Sequence, residues 1–335
     1  MHSIYRNELI DKIFSIQSKT EFEKLALEVF QLQYNTNSVY KNYVNTLGIE
    51  PQKIDSIQNI PFLPVSFFKT HEIICGDKTR YEKIFYSSTT SSSTPSKHFV
   101  KDISIYTESF QKAFEQFYGD IKDCCVLALL PSYLEREGSS LVFMAEDMIK
   151  ASGYSSSGFY MNNYEELVRA LTRLEKQGQK VLLLGVTYAL LKLAEKFPMP
   201  LTNTIIMETG GMKGKRDELP KQEVHVLLQK AFGMKNIHSE YGMTELLSQA
   251  YSKGEGVFNA PPWMHIGIRD IYDPLKVAFQ AGSGAINIID LANINSCAFI
   301  ATDDMGQLNK NDSFEISGRI DYSDVRGCNL MAEDL

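Results

Sequence analysis

The feature that most limits what this chain can become is an alternation that runs from Lys83 to Phe232. Short runs rich in branched and aliphatic residues (Lys83–Tyr86, Cys124–Leu130, Lys180–Leu184, Thr204–Met207) are separated by longer segments with helical apolar spacing. Those longer segments are Ile103–Tyr118, Ser140–Ser152, Tyr164–Gln177, Thr187–Lys196 and Leu219–Phe232. A strand, a helix of this length and a further strand require a crossover connection, and such crossovers build a largely parallel sheet with helices on its faces. The expected class is α/β. Two more strand-like runs, Ala285–Ile289 and Cys297–Ala301, follow. From Tyr251 onward the segments are shorter and richer in glycine, which predicts a smaller β-rich subdomain.

Upstream of the alternation the chain reads as helix. Thr20-Glu21-Phe22-Glu23 has the pattern of a capping box, and Phe22, Leu25, Val29 and Leu32 follow at helical spacing. Ser38 opens a second amphipathic stretch that Gly48 and Pro51 close. In the segment IPFLPVSFFK, Pro61 and Pro64 exclude a regular helix, so its apolar side chains are expected to cover a core.

Composition excludes several classes of function. The charge sum of 34 minus 41, or −7, lacks the basic face that a nucleic-acid binder driven by counterion release needs. A phosphate-bearing ligand or a metal ion stays open, since a pocket needs only a few local cations. Five cysteines with no CxxC pair give neither a disulfide scaffold nor a structural zinc site. The start, MHSIYRNELIDKIF, has no basic region leading into an apolar one, and the longest apolar runs fall far short of the ~20 residues of a membrane span. A reduced cytoplasm is the expected compartment, and with 335 residues about two structural units are expected.

Five clusters carry polar chemistry. The first, Ser87-Ser88-Thr89-Thr90-Ser91-Ser92-Ser93-Thr94-Pro95-Ser96-Lys97, follows a strand and is expected to lead into a helix near Asp102. It reads either as a hydroxyl-rich loop or as a phosphate loop with Lys97 as its cation. It lacks GxxxxGK[ST], which excludes a P-loop kinase or GTPase. Gly210-Gly211 follows a strand and is either a plain turn or a place of close ligand approach. In Glu240-Tyr241-Gly242-Met243-Thr244-Glu245, Tyr241 offers a flat face, Thr244 a hydroxyl and Glu245 a hard oxygen for Mg2+; the alternative is a helix cap. Thr302-Asp303-Asp304-Met305-Gly306 is expected to end a strand with paired carboxylates that suit vicinal hydroxyls, or to be an acidic turn. Ser317-Gly318-Arg319-Ile320-Asp321 is otherwise a surface hairpin with an Arg–Asp pair. Gly282-Ser283-Gly284 lacks the third glycine of a dinucleotide fingerprint and is expected to be a hairpin turn. Neither HExxH nor GxSxG occurs, so catalytic zinc and serine-hydrolase chemistry have no motif.

Taken in order, YSSTTSSSTPSK, ETGG, EYGMTE, TDDMG and SGRID resemble the motif series of the adenylate-forming enzymes, the acyl-CoA synthetase and luciferase superfamily. The resemblance runs from about Pro61 to Leu330. Within the superfamily, PFLPVSFFK, the histidine of PSKH and the ending VRGCNLM look like the acyl-protein synthetases of the LuxE type. The resemblance implies the large N-terminal domain of that fold, with layered, mostly parallel sheets and a smaller β-rich subdomain, and without the C-terminal lid domain of longer relatives. It divides the chain into a helical segment (1–60), a nucleotide-binding α/β core (61–250), a β-rich subdomain (251–317) and a hinge-like tail (318–335).

The resemblance also implies a site. Ser87, Ser88, Thr89 and Thr90 with Lys97 would hold the β and γ phosphates of ATP. Gly210 and Gly211 would let the backbone approach the adenine, and Tyr241 would stack on it. Thr244 would touch the α-phosphate, Glu245 would hold Mg2+, and Asp304 would bind the ribose hydroxyls. Arg319 would assist at ribose or phosphate, and Asp321 would sit at the hinge. The implied reaction joins a carboxylic acid of the fatty class to AMP and passes the acyl group to a thiol. The acceptor would be Cys328, a partner protein or coenzyme A, the last making the chain an AMP-forming acyl-CoA synthetase; the alternative from another class is a non-catalytic nucleotide- or acyl-binding protein. Two departures stand out: Thr89 and Ser92 occupy places where the family has glycine, and Asp303 replaces the glycine of TGD. His98, next to Lys97, is read as within reach of phosphate, His225 as a helix-face residue and His238 as near adenine or half-buried. Trp263 and His265 are read as part of a covering loop, and Cys124 and Cys125 as core packing.

Overall fold

The computed structural model describes residues 2–88, 94–130, 138–210 and 219–320. Helices His2–Ile13, Lys19–Thr36 and Ser38–Thr46 open the chain. The capping box lies two residues upstream of the expected one: Ser18 Oγ accepts from Glu21 N at 3.3 Å, and the Glu21 carboxylate accepts from Ser18 N at 3.2 Å. Starting there lets Phe22 N reach Ser18 O at 3.0 Å, which lengthens the helix by about half a turn. Gln33 and Asn37, both buried, fasten these helices to the distant connection around residue 295. Gln33 Nε2 donates to Asn293 O at 2.8 Å, its Oε1 accepts from Ala298 N at 3.0 Å, and Asn37 Nδ2 donates to Ser296 O at 2.9 Å.

From Cys125 onward the sequence alternation folds as expected, whereas Lys83–Tyr86 stands apart in a two-stranded antiparallel sheet. Strands Cys125–Leu129, Gly158–Phe159, Val181–Val186, Thr204–Thr209 and His238–Tyr241 are parallel neighbours, with Val181–Val186 between Cys125–Leu129 and Thr204–Thr209. Helices Ile103–Tyr118, Ser140–Ser152, Tyr164–Lys176, Thr187–Lys196 and Lys221–Phe232 accompany them. Val181–Val186 is buried along its whole length, as a strand covered on both faces must be, and its sequence is accordingly an unbroken apolar run.

An antiparallel contact, Ser239 opposite Ser252, carries the sheet on into strands Ala250–Ser252, Val257–Asn259, Phe314–Arg319, Phe299–Leu308, Gly282–Asp290, Met264–Arg269 and Val277–Ala278. This is the β-rich part, with short connections. Leu63–Pro64, from the proline-bearing segment, adds a parallel pairing against Ile300–Ala301, and helix Phe67–Thr70 follows.

Three local expectations are corrected. Between the Ser/Thr tract and the helix stands a further strand: Lys97–Val100 pairs antiparallel with Lys83–Tyr86 as a hairpin, with Tyr86 opposite Lys97. Phe99 and Val100 are buried, and that apolar gain favours a two-stranded sheet of its own before helix Ile103–Tyr118 begins. The Thr302–Gly306 segment lies inside the ten-residue strand Phe299–Leu308 rather than at its end. Gly282 and Gly284 belong to the strand Gly282–Asp290, where a Cβ on Gly284 would run into the Arg269 carbonyl. Among the described residues no helix is long and apolar enough to cross a membrane.

Candidate functional site

The C-terminal ends of the parallel strands set the site, as in other open α/β sheets. Strand Thr204–Thr209 ends at Gly210, whose φ of +71° suits a residue without a Cβ. Its neighbour ends at Tyr241, and Thr209 lies opposite Glu240 in the ladder, so Gly210 and Tyr241 emerge side by side.

Tyr241 is fixed from three directions. Its ring meets Phe258 and Phe314 edge-on at 5.9 and 5.6 Å. Its hydroxyl donates to Asp304 Oδ2 at 2.7 Å. Burial, followed by the adjacent Asp304 charge, raises the phenol well above its ordinary pKa, so it stays a donor. Asp304 is 7% exposed, and its other oxygen accepts from Arg319 Nε at 3.3 Å. The ladder explains this pairing, since Asp304 and Arg319 are opposite one another. Arg269, buried beneath, donates to Thr302 O at 2.9 Å and Asn287 Oδ1 at 2.8 Å; Thr302 Oγ1 in turn accepts from Asp304 N at 3.1 Å. The carboxylate therefore sits on a fixed backbone.

Behind Gly210 and Tyr241 lies a buried acidic pair that sequence reading missed. Glu208 accepts from Thr187 Oγ1 at 2.6 Å and Ser239 Oγ at 3.1 Å and pairs with Lys221 Nζ at 3.3 Å. Burial pushes its pKa up, but the contacts with His225, Lys221 and Thr187 outweigh it and hold the carboxyl below its ordinary value. Glu240 accepts from Thr209 Oγ1. Burial dominates here, aided by the Glu208 charge and opposed by Thr209 and Lys221, and raises Glu240 to about 7. Thr187 Oγ1 also lies 3.1 Å from Gly210 O, tying the pair to the turn. His225 is not a surface residue: it is buried, with Nε2 3.3 Å from Ser239 Oγ. The helical period around His225 was legible, but the face it occupies depends on the fold.

Thr244 and Glu245 stand in an irregular stretch between strands His238–Tyr241 and Ala250–Ser252, with no helix beginning there. Glu245 is buried. Asp290 holds the next turn by accepting from Leu247 N, Ser248 N and Ser248 Oγ at 2.8, 3.0 and 2.5 Å. Trp263 stands in the turn before strand Met264–Arg269 and is buried, and its indole N–H reaches Ser109 Oγ at 3.0 Å and Ser248 Oγ at 3.1 Å. His98 is likewise buried, its Nδ1 2.8 Å from Thr244 O, so it does not reach out to a phosphate. His238 is half-buried beside the Tyr118 hydroxyl at 3.2 Å. Lys97, next to His98, faces solvent. At the base of the hairpin Ser87 and Ser96 close on each other: Ser87 Oγ accepts from Ser96 N at 2.9 Å, and Ser87 N donates to Ser96 O at 3.1 Å. Ser88 follows, half-buried. Bonds or ladder pairs thus link Tyr241, Asp304 and Arg319, and Gly210 follows the residue paired with Glu240, while Thr244 is bonded to the residue beside Lys97. Thr89, Thr90, Gly211, Asp321 and Cys328 lie outside the described residues. Cys124 and Cys125 are buried core residues, as expected.

Among known proteins, the chain is 22% identical over 342 residues to a long-chain-fatty-acid–luciferin-component ligase of Vibrio harveyi, covering 95% of this chain and 89% of the ligase. Its fold matches that of 2-hydroxyisobutyryl-CoA ligase in complex with 2-HIB-AMP and CoA (TM-score 0.64, 12% identity, 91% of this chain and 69% of that one). It also matches the ATP-bound RpMatB-BxBclM chimera B1 (TM-score 0.54, 16% identity, 70% of this chain). The matched region is about half, 47%, of the chimera's length. The α/β fold is that of the N-terminal domain of adenylate-forming enzymes. The family model for acyl-protein synthetases, LuxE, matches residues 12–335, and the chain belongs to that family.

Proposed function

We propose that the chain uses ATP to convert a carboxylic acid of the fatty class into an acyl-adenylate and passes the acyl group to a cysteine thiol. One observation carries the reading: an aromatic face, a ribose-type carboxylate and a glycine turn are held together by Tyr241–Asp304 and by the Gly210–Tyr241 strand ends. Membership of the acyl-protein synthetase family and the likeness to a fatty-acid ligase support it.

A carboxylate is a weak nucleophile toward a polyanion, and its own carbonyl carbon is unreactive. Attack of a carboxylate oxygen on the α-phosphorus breaks the bond to the β-phosphate oxygen, releases pyrophosphate and leaves a mixed anhydride. A thiolate then attacks the acyl carbon, AMP leaves and a thioester forms, the thiol proton having gone to solvent or a base. The protein's part is positioning and charge neutralisation.

Tyr241 would lie against the purine, with Gly210 and Gly211 allowing the backbone close. Asp304 would accept the ribose hydroxyls with the lone pairs that Tyr241 and Arg319 leave open. Arg319, exposed beyond its contact with Asp304, would assist at ribose or phosphate. Ser87, Ser88, Thr89, Thr90 and Lys97 would face the β and γ phosphates, and Thr244 the α-phosphate. Among the described residues no three potential metal ligands gather, so Mg2+ would be held by Glu245 together with phosphate and water oxygens, the ligand set this ion prefers. Bound there, Mg2+ would neutralise phosphate charge. Cys328 is the proposed acyl acceptor, with a partner protein taking the acyl group next.

Acid-dependent exchange of labelled pyrophosphate into ATP, run over a panel of acids, tests the first half. Exchange with long-chain acids is expected, and no exchange with any acid would overturn the reading. For the second half, labelled acyl groups should appear on the protein and be lost in Cys328→Ser. Label that appears only on added coenzyme A would replace the cysteine acceptor.

A further inference from the structure

Thr244 and Glu245 have no ladder or helix to fix them, yet each of their carbonyls is held by a buried side chain from elsewhere. His98 Nδ1 lies 2.8 Å from Thr244 O, a bond that spans 146 residues of chain. Asn293 Nδ2 donates to Glu245 O at 2.7 Å. A carbonyl can only accept, so Nδ1 carries the hydrogen and, in the neutral ring, Nε2 carries the lone pair. Burial pushes His98 down to about 4, against the pull of the Thr244 carbonyl and Asn293, which keeps the ring neutral.

The ring itself is fixed. His98 and Asn293 are fully buried, and Phe68 meets the imidazole edge-on at 5.7 Å. Along strand Lys97–Val100 side chains alternate, so the residue that bonds Thr244 is the immediate neighbour of the solvent-facing Lys97. Among the described residues, His98 Nε2 and Asn293 Oδ1 have no hydrogen-bond partner other than what the two side chains offer each other.

We propose that His98 and Asn293 are positioning residues for adenylation: they set Thr244 and Glu245 at a fixed distance from the hairpin that carries Lys97. The inference rests on the adenylate-forming reading. It places the phosphate-facing groups of two remote segments under the control of two side chains that themselves touch no substrate. Tyr241 and Asp304 are held by other contacts, so nucleotide binding through base and ribose is not expected to depend on the brace.

The test compares His98→Asn, whose amide places an N–H near the position of Nδ1, with His98→Gln, whose amide reaches the Nε2 position instead. Asn293→Leu is the third variant. Each is measured for Tm, adenosine affinity, and kcat and KM for ATP in pyrophosphate exchange at several Mg2+ concentrations; adenosine carries base and ribose but not the α-phosphate that Thr244 would touch. Misplacement of a reacting group by about 1 Å costs on the order of a hundredfold in rate. His98→Gln and Asn293→Leu are therefore expected to lose roughly ten- to a hundredfold in kcat and to need more Mg2+. Their adenosine affinity should change less than about threefold. His98→Asn should recover most of the lost kcat. Equal kcat in His98→Asn and His98→Gln, or a kcat loss matched by an equal loss of adenosine affinity, would overturn the inference while leaving wild-type exchange, and so the parent reading, intact. Absence of exchange in the wild type would overturn both.

Discussion

The hydroxyl of Tyr241 donates to Asp304 Oδ2 at 2.7 Å, so the aromatic face and the carboxylate assigned to the two ends of a nucleoside are one bonded unit. Removing the hydroxyl separates its two effects. In Tyr241→Phe the ring stays between Phe258 and Phe314, and Asp304 keeps Arg319. A hydrogen bond to a charged group contributes about 1.5–3 kcal/mol, and part of that is recovered by the remaining partner. Tyr241→Phe is expected to lower stability by about 1–2 kcal/mol in urea unfolding and to raise KM for ATP roughly tenfold with little change in kcat. An unchanged KM would mean that the hydroxyl does not align Asp304 for ribose.

Glu240 gives a pH signature whose sign follows from burial. Its carboxyl is raised to about 7 in the folded chain. Below the ordinary carboxylate pKa both folded and unfolded states are protonated. Between that value and about 7 only the unfolded state gives up the proton, so this residue's contribution to stability is lost as pH rises through the window. The full shift corresponds to about 3 kcal/mol. Glu240→Gln keeps an acceptor for Thr209 but cannot ionise. The stability difference between variant and wild type should therefore grow in favour of the variant from pH 5 to pH 8, by about 2–3 kcal/mol in urea midpoints. A difference that is flat with pH would show that Glu240 titrates normally.

What the sequence made legible was periodic or contiguous. Helix Ile103–Tyr118 has the same bounds in the sequence reading and in the structure, because a single apolar stripe and Asp102 as N-cap define it locally. Strand Val181–Val186 was legible because a buried parallel strand is an unbroken apolar run. Lys97–Val100 was not, since only its pairing with Lys83–Tyr86 turns four residues after a serine-rich tract into a strand. The site behaves the same way. Tyr241, Thr244, Asp304 and Arg319 are proposed site residues because motifs single them out. Lys221, Arg269, Asn293 and Asp290 have no motif and act through contacts made at long range, which no local pattern encodes; Glu208 begins ETGG, but its contacts with Thr187, Ser239 and Lys221 come from other elements. Glu240 stands inside EYGMTE, yet its burial comes from the strand beside it.

Gly306, in TDDMG, is fixed by close approach rather than by backbone angle. A Cβ there would collide with the Glu315 carbonyl, and Ile286 Cδ1 would lie 2.9 Å away. The carbonyl belongs to the paired strand, where Gly306 is opposite Ile316 beside a register shift, so it cannot swing aside. Gly306→Ala is expected to cost about 3 kcal/mol in chemical denaturation, at the upper end for overpacking. The same displacement moves the ladder that sets Asp304 opposite Arg319, so KM for ATP should rise with it. A variant as stable as wild type would mean that the two strands separate there at little cost.

Arg319 tests how far the contact with Asp304 serves binding rather than folding. Its side chain is 72% exposed, whereas that of Asp304 is 9% exposed, and the two meet at 3.3 Å. An ion pair with one partner so open to solvent contributes little to stability, because water screens it and ordering a long side chain is unfavourable. Arg319→Ala should therefore shift unfolding by less than about 0.5 kcal/mol. Its proposed work is at a nucleotide that carries several negative charges, where a guanidinium gives charge-assisted bonds. KM for ATP is expected to rise by about tenfold or more, and the rise should shrink at high salt as the wild type loses the same attraction. Arg319→Lys keeps the charge but not the planar fork, so an intermediate KM is expected. If all three proteins bind ATP alike while Asp304→Asn does not, the ribose contact rests on the carboxylate alone and Arg319 serves only to fill the strand edge.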